Sequence, residues 1–282
     1  MAQNSEITSA RDEIKRLRAV IRELTLDLES MLRLRGFRVY KKEPKEDLLL
    51  PEETFRDTEG VIDPFYEMLK KYSFRLFLRD VIKHQESFRK ANVTKYATGE
   101  VTEDYINYLL RVKLIEPLGE ETFRLKKRPI KSFGETLEWF VSELFKREFL
   151  TETMWGVRFK RPKVGGDYDL IAKINSSILY MEVKSSPPKQ IYANEITAFM
   201  DRIEDLQPSI AIFLMDTELR MKDKIVPMFE EELKKRYPEP PRVLRLHKEL
   251  FHIGYKIFII NTKDTITGNI ETVLSSYFRR KG

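Results

Sequence analysis

The sequence predicts an α/β protein, with a sheet-and-helix C-terminal half preceded by smaller, mostly helical segments. Three observations carry this expectation. A hairpin pattern occupies residues 167–184, a fully apolar run occupies 209–215, and segments of helical period stand on both sides of them. A short apolar run bounded by turn residues reads as a strand buried on both faces, and apolar residues recurring every three to four positions read as helices that cover it.

The hairpin is the most informative element. Asp167-Tyr168-Asp169-Leu170-Ile171-Ala172-Lys173-Ile174 alternates as a strand does, Asn175-Ser176 suits a turn, and 179–184 reads as the return strand. A two-residue turn sets Ile174 opposite Ser177, Asp169 opposite Glu182 and Asp167 opposite Lys184. Facing residues share a sheet face with Cβ atoms ~5 Å apart. Carboxylates that close repel unless a cation lies between them. Hard oxygen ligands of this kind suit Mg²⁺ or Mn²⁺. A one-residue slip would face Asp169 with Val183 instead. The plain alternative is an exposed hairpin with ordinary surface charges.

Upstream, residues 132–145 form an amphipathic helix with Leu137, Phe140, Val141, Leu144 and Phe145 on one stripe. Ser132 and Glu135 have capping-box spacing. Glu138 lies on the shoulder of the stripe, where it can point along the sheet. Downstream, the pattern predicts a helix over 193–206 with Ile196, Phe199, Met200 and Ile203 inward, and the buried strand 209–215. A helix over 221–236, further strand within 243–261 and a last helix over 269–280 follow.

Together these residues resemble the PD-(D/E)XK nuclease superfamily, the restriction-endonuclease-like fold. The matches are Gly134 and Glu138 on the first helix, Asp169 opening a strand, and Glu182-Val183-Lys184 on the next. Tyr168 replaces the literal proline, which leaves both Asp167 and Asp169 as ligand candidates; Asp169 is favoured because the apolar strand starts directly after it. The resemblance covers 132–282 and implies a three-layer mixed sheet with flanking helices. It implies Glu138, Asp169, Glu182 and the Val183 carbonyl as ligands of Mg²⁺ or Mn²⁺, with Lys184 orienting the attacking water or stabilising developing charge. It gives Gln190 a contact with the phosphate or the metal shell, with an ordinary loop residue as the alternative.

Composition sets the frame. The 282 residues carry a net charge of +6, which suits a nucleic-acid partner. The absence of cysteine rules out disulfides, thiolate zinc sites and cysteine nucleophiles, and His84, His247 and His252 are scattered. No apolar run of ~20 residues occurs, so no membrane span is expected and a cytoplasmic location is.

At the N-terminus Ile7, Ile14, Ile21 and Leu28 recur every seven residues, with Ala10, Leu17, Leu24 and Met31 three after each. Such a pattern favours a parallel two-stranded coil. Glu6 and Arg11, and Glu13 and Arg18, hold complementary flanking positions. Residues 5–35 are therefore expected to form a coiled-coil homodimerisation helix, with a long amphipathic helix packed on its own chain as the alternative. Residues 36–64, polar and interrupted by prolines, read as a linker or arm.

Residues 65–131 resemble a winged helix-turn-helix domain. A helix is expected over 65–84, a short one over 93–99, and a third over 103–114 capped by Thr102. A hairpin wing over 115–125 turns near Gly119. Glu103, Asp104, Glu120 and Glu121 would repel phosphate at the usual reading positions. Lys83, Arg89, Lys90, Lys95, Lys126, Lys127 and Arg128 are the candidate nucleic-acid contacts, along the first helix and the junction with the next domain.

The functional expectation is a divalent-metal-dependent DNA endonuclease acting as a dimer on duplex or branched DNA, in repair or restriction, with RNA left open. Two alternatives stand beside it. One is a non-catalytic dimeric winged-helix DNA-binding regulator. The other is a nuclease subunit that needs a helicase or repair partner.

Overall fold

The computed structural model describes residues 13–18, 20–21, 26–160 and 164–281. It contains one open eight-stranded mixed sheet with helices on both faces. The strands are β1 (Val39–Lys41), β5 (Thr153–Phe159), β6 (Tyr168–Ile174), β7 (Ser177–Lys184), β8 (Ile210–Met215), β9 (Val243–His247), β10 (Leu250–Ile253) and β11 (Ile257–Asn261), in the spatial order β1-β5-β6-β7-β8-β11-β10-β9. Chain order continues through β2 (Phe88–Arg89), β3 (Ile115–Gly119) and β4 (Thr122–Leu125), which form a separate small antiparallel sheet. In the large sheet the β7–β8 and β8–β11 pairs are parallel and the β5–β6–β7 meander is antiparallel.

β7 shows why the sheet is covered twice. Leu179, Met181 and Val183 belong to the core on one face, and Ile178 and Tyr180 to the core on the other. The expected run in β8 behaves likewise, with all six residues buried. One face is covered by the helix Gly134–Glu148 (residues Leu137, Phe140, Val141, Leu144 and Phe145) and the C-terminal helix Ile266–Lys281. The opposite face is covered by Ala193–Leu206 and Ile225–Arg236, together with the short helix Leu28–Leu34.

Several boundaries differ from expectation. The segment predicted as one helix over 65–84 is two, Asp63–Leu69 and Tyr72–Lys83, with Lys71 extended between them. The short helix lies at Lys90–Val93 rather than 93–99. The third runs Gly99–Arg111, and its cap is Thr98, whose side chain accepts from the Val101 amide; Thr102 is buried inside the helix. The hairpin forms as expected, with Glu121 at positive φ in its turn. Ser132 does not make the reciprocal box: its hydroxyl accepts from the Gly134 amide and donates to Glu135.

Residues 36–64 are not a free linker. Val39 and Lys41 pair with β5 as the sheet's edge strand, and Leu48, Leu49 and Leu50 are buried. The proline signal was offset by this leucine triplet. The same core continues from these leucines through Phe65, Phe74, Phe77 and Leu109 to the sheet face, so the 65–131 segment and the sheet share one hydrophobic core. A fully buried ion pair crosses it, Arg75 to Asp216 at 2.8 Å.

The predicted coiled coil falls partly outside the described residues, including Ile7, Ala10, Leu24, Glu6 and Arg11. Ile14, Leu17 and Ile21 are on helical backbone and exposed. Leu28 and Met31, taken as its last repeat, do something else. Asp27 accepts from the Ser30 amide at 2.6 Å and starts a separate helix, whose Leu28, Met31 and Leu32 are buried in the chain's own core.

Candidate active site

The β6–β7 register is the one a two-residue turn requires, with Ile174 facing Ser177 and Leu170 facing Met181. The ladder ends there. One residue further along each strand stand Asp169 and Glu182, and the Asp169 carboxylate accepts from the Val183 amide at 2.7 Å. Tyr168 belongs to one core and Leu170 to the other, although residues two apart on a regular strand share a face. On β5, Trp155 and Val157 split between the cores in the same way around Gly156. Both strands therefore twist sharply at the Asp169–Gly156 level, and this twist turns Asp169 out at the strand end.

Glu138 reaches the same place from the opposite layer, on the first turns of Gly134–Glu148. Gly156 makes the approach feasible. Its φ is +56°, and a Cβ there would sit 2.6 Å from Pro44 Cδ and 3.8 Å from a Glu138 carboxylate oxygen. Burial, then Asp169, then Glu135 and Glu182 push the Glu138 carboxyl well above its usual range. Burial and Glu182 push Asp169 up to about 8, against the opposing pull of Lys184, the Val183 amide and Arg202. Acids that crowd and desolvate one another in this way mark functional sites more often than structural ones.

Glu182 is 2% exposed and fully engaged. Arg202 Nη1 donates to its two oxygens at 3.2 and 3.0 Å, Lys184 Nζ lies 2.8 Å from Oε1, and the Tyr180 hydroxyl donates to Oε2. Lys184 also lies 3.3 Å from Glu195. Burial opposes its charge, but Glu182 and Asp169 hold the ammonium above its ordinary range. Arg202 packs so closely on Gly166 that a Cβ there would fall 2.5 Å from its Nη2.

The structure thus brings Glu138, Asp169, Glu182, Val183 and Lys184 to one end of the β6–β7 pair. Asp167 is held elsewhere, bidentate to Arg158 at 2.6 and 2.7 Å. Gln190 is exposed and lines a cleft beyond the Ser185–Pro187 turn, apart from the carboxylates. Arg202, Tyr180, Glu195 and Gly156 were missed in the sequence. Arg202 could have been found as a charge on the shoulder of the Phe199–Ile203 stripe, just as Glu138 was on its own helix.

Among the described residues no three His, Asp or Glu side chains are arranged around a common metal position. The reason is local, since Glu182 is turned to Arg202 and Lys184. The donor chemistry at Glu138 and Asp169 fits a hard divalent cation, because both carboxyls are pushed up, Glu138 by burial and Asp169, and Asp169 by burial and Glu182, and a positive charge between them relieves both.

The seven candidate nucleic-acid contacts divide. Lys127 donates to the Leu48 carbonyl at 2.7 Å, Arg128 donates to the Leu125 carbonyl and pairs with Glu86, and Lys90 pairs with Glu103 at 2.6 Å. Lys83, Arg89, Lys95 and Lys126 are exposed.

No protein-family model matches the sequence, and no curated protein matches it. Among solved structures the chain is similar to Can2 from Sulfobacillus thermosulfidooxidans in complex with cyclic tetra-adenylate. The TM-score is 0.51 and the identity 15%, over 89% of this chain and 60% of that one. It also overlaps protein VC1899 from Vibrio cholerae with a TM-score of 0.48 and 14% identity, over 91% of this chain and 62% of that one. The chain spans less than two thirds of either. The likeness to Can2 shows a shared fold. No helix among the described residues is long and apolar enough to cross a membrane.

Proposed function

We propose that the chain is a divalent-metal-dependent nuclease that hydrolyses phosphodiester bonds in DNA, built on a PD-(D/E)XK-like domain with a winged-helix module before it. The observation that carries this reading is the meeting of Glu138 and Asp169, both pushed up, beside the Glu182–Lys184 ion pair. Maintaining such repulsion has no use in a scaffold, which argues against the regulator alternative. Can2 is described with a cyclic oligoadenylate, a phosphodiester compound, which agrees with this ligand class.

Glu138, Asp169 and the Val183 carbonyl would hold Mg²⁺ or Mn²⁺; Glu182, expected as a further ligand, would have to turn from Arg202 and Lys184 to join them. Bound there, the ion would supply a water of lowered pKa and neutralise charge on the scissile phosphate. Lys184 keeps its proton and stands at the same strand end, where it donates to an anionic oxygen. Arg202 and Tyr180 fix Glu182, so the carboxylate keeps Lys184 in place. Glu195 holds the ammonium from the other side. Dimerisation through the exposed Ile14 and Leu17 would set two such sites at a fixed separation, suited to cutting both strands of a duplex or to a branched junction.

Metal binding tests the site directly. A ligand that binds only the folded state raises the melting temperature. Mg²⁺ or Mn²⁺ is expected to raise that of the wild type and to leave Asp169→Asn unmoved. Equal shifts in both proteins would remove Asp169 from the metal site.

A further inference from the structure

Beyond the end of β7 lies a cleft of about 810 Å³. Arg79 and Lys83 line it from the helix Tyr72–Lys83, Ser185, Ser186 and Gln190 from the segment after β7, and Lys131 from the segment before the Glu138 helix. It therefore begins one residue beyond Lys184.

Arg79 is the unusual group in it. Its Nη2 donates to the Asp216 carboxylate, and to the Asp216 carbonyl at 3.2 Å. Its guanidinium lies 5.6 Å from the centroid of the Phe133 ring. Its Nε is buried and has no hydrogen-bond partner. Asp216 does not need Arg79 for neutrality, because Arg75 already grips it through Nε and Nη2 at 2.8 to 3.1 Å. Two guanidinium groups thus share one carboxylate and leave a positive charge in excess. Asp80 also lines the cleft but makes no ion pair with Arg79. The cluster is rigidly tied to the reaction end of the sheet, since the Asp216 amide donates to the Lys184 carbonyl at 2.8 Å.

A planar cation held in place on the cleft wall, with charge beyond what Asp216 takes up, matches a phosphate oxygen. We propose that Arg79 anchors a backbone phosphate of the nucleic-acid strand next to the scissile one, with Lys83 and Lys131 following the strand along the cleft. The choice of ligand rests on the phosphodiester reading above. The 65–131 segment then forms one wall of the substrate site instead of acting as a separable DNA-binding head. Asp80 and Glu218 also face the cleft, so the strand is held by this local contact and not by a broadly positive field.

The test is binding of a fluorescent oligonucleotide to the full chain in EDTA, by anisotropy over a series of salt concentrations. Arg79→Gln is expected to weaken binding about tenfold, the scale of one charge-assisted hydrogen bond. It should also reduce the slope of log affinity against log salt by roughly 0.7–0.9, one phosphate contact. Arg79→Lys restores the slope but not the full affinity. Unchanged affinity and slope in a folded Arg79→Gln protein overturn the proposal, as does a wild type that binds no oligonucleotide. If Arg79→Gln fails to fold, Lys83→Ala with Lys131→Ala leaves the Asp216 cluster intact and must lower both affinity and slope; no change overturns the strand path. Oligonucleotide binding that depends on Arg79, without cleavage when Mg²⁺ is added, would uphold the anchor and sink the nuclease reading. Mg²⁺-dependent cleavage with a KM unchanged by Arg79→Gln would do the reverse.

Discussion

Asp169 stands one residue beyond the last β6–β7 pair, and burial and Glu182 push it up to about 8 from an ordinary aspartate value of ~3.9. A carboxyl whose pKa is higher folded than unfolded binds more protons in the native state across that interval. Its stabilising contribution is complete below the unfolded value and is lost as pH rises through about 8. Glu138, also pushed up, acts with the same sign. The metal-free wild type is therefore expected to lose melting temperature, relative to Asp169→Asn, as pH climbs from ~4 to ~8. A difference between the two proteins that stays constant with pH would contradict the crowding. Divalent affinity should rise over the same window, because the ligands must be deprotonated. The Asp169, Glu182, Lys184 grouping was legible because a period-2 strand and a two-residue turn fix which residues face each other. The choice between Asp167 and Asp169 was not, since Arg158 takes Asp167 from a strand that pairing rules alone do not bring into register.

At the scale of elements, the sharp twist at Gly156 and Asp169 sets how closely Glu138 approaches. Gly156→Ala would need a positive φ and a contact with Pro44 inside van der Waals distance. It is expected to cost roughly 1–3 kcal/mol of stability and to lower the metal-induced rise in melting temperature by displacing Glu138. A variant with wild-type stability and metal response would show that the twist is tolerant. Strands and helices with strong apolar periods were readable: β8 and the helix Ala193–Leu206 lie where the pattern put them. The edge strand β1 was not. Three residues amid prolines carry no period, and only tertiary pairing with β5 makes them a strand.

For the whole molecule, a single core joins the 65–131 segment to the sheet, and the Arg75–Asp216 pair crosses it at 1% and 0% exposure. Removing one partner of a buried pair strands the other charge and costs roughly 3–5 kcal/mol. Arg75→Ala is thus expected to lower the melting temperature in one cooperative transition spanning both parts. Two separate transitions would mean two independent domains. On the proposed dimeric reading, replacing the exposed Ile14 and Leu17 (Ile14→Glu with Leu17→Glu) is expected to convert a dimer to a monomer in light scattering. A wild type that is already monomeric removes the dimeric reading. The heptad count took in Leu28 and Met31, because apolar spacing alone does not show that Asp27 starts a new helix packed on the chain's own core.

The most direct measurement is cleavage of labelled duplex, single-stranded and branched DNA with Mg²⁺ or Mn²⁺, wild type beside Lys184→Ala. Metal-dependent cutting by the wild type is expected, reduced in the variant by about 10²–10³-fold, as for loss of one charge-stabilising donor. Equal cutting by both proteins, or none by either while metal and DNA still bind, would contradict the nuclease reading.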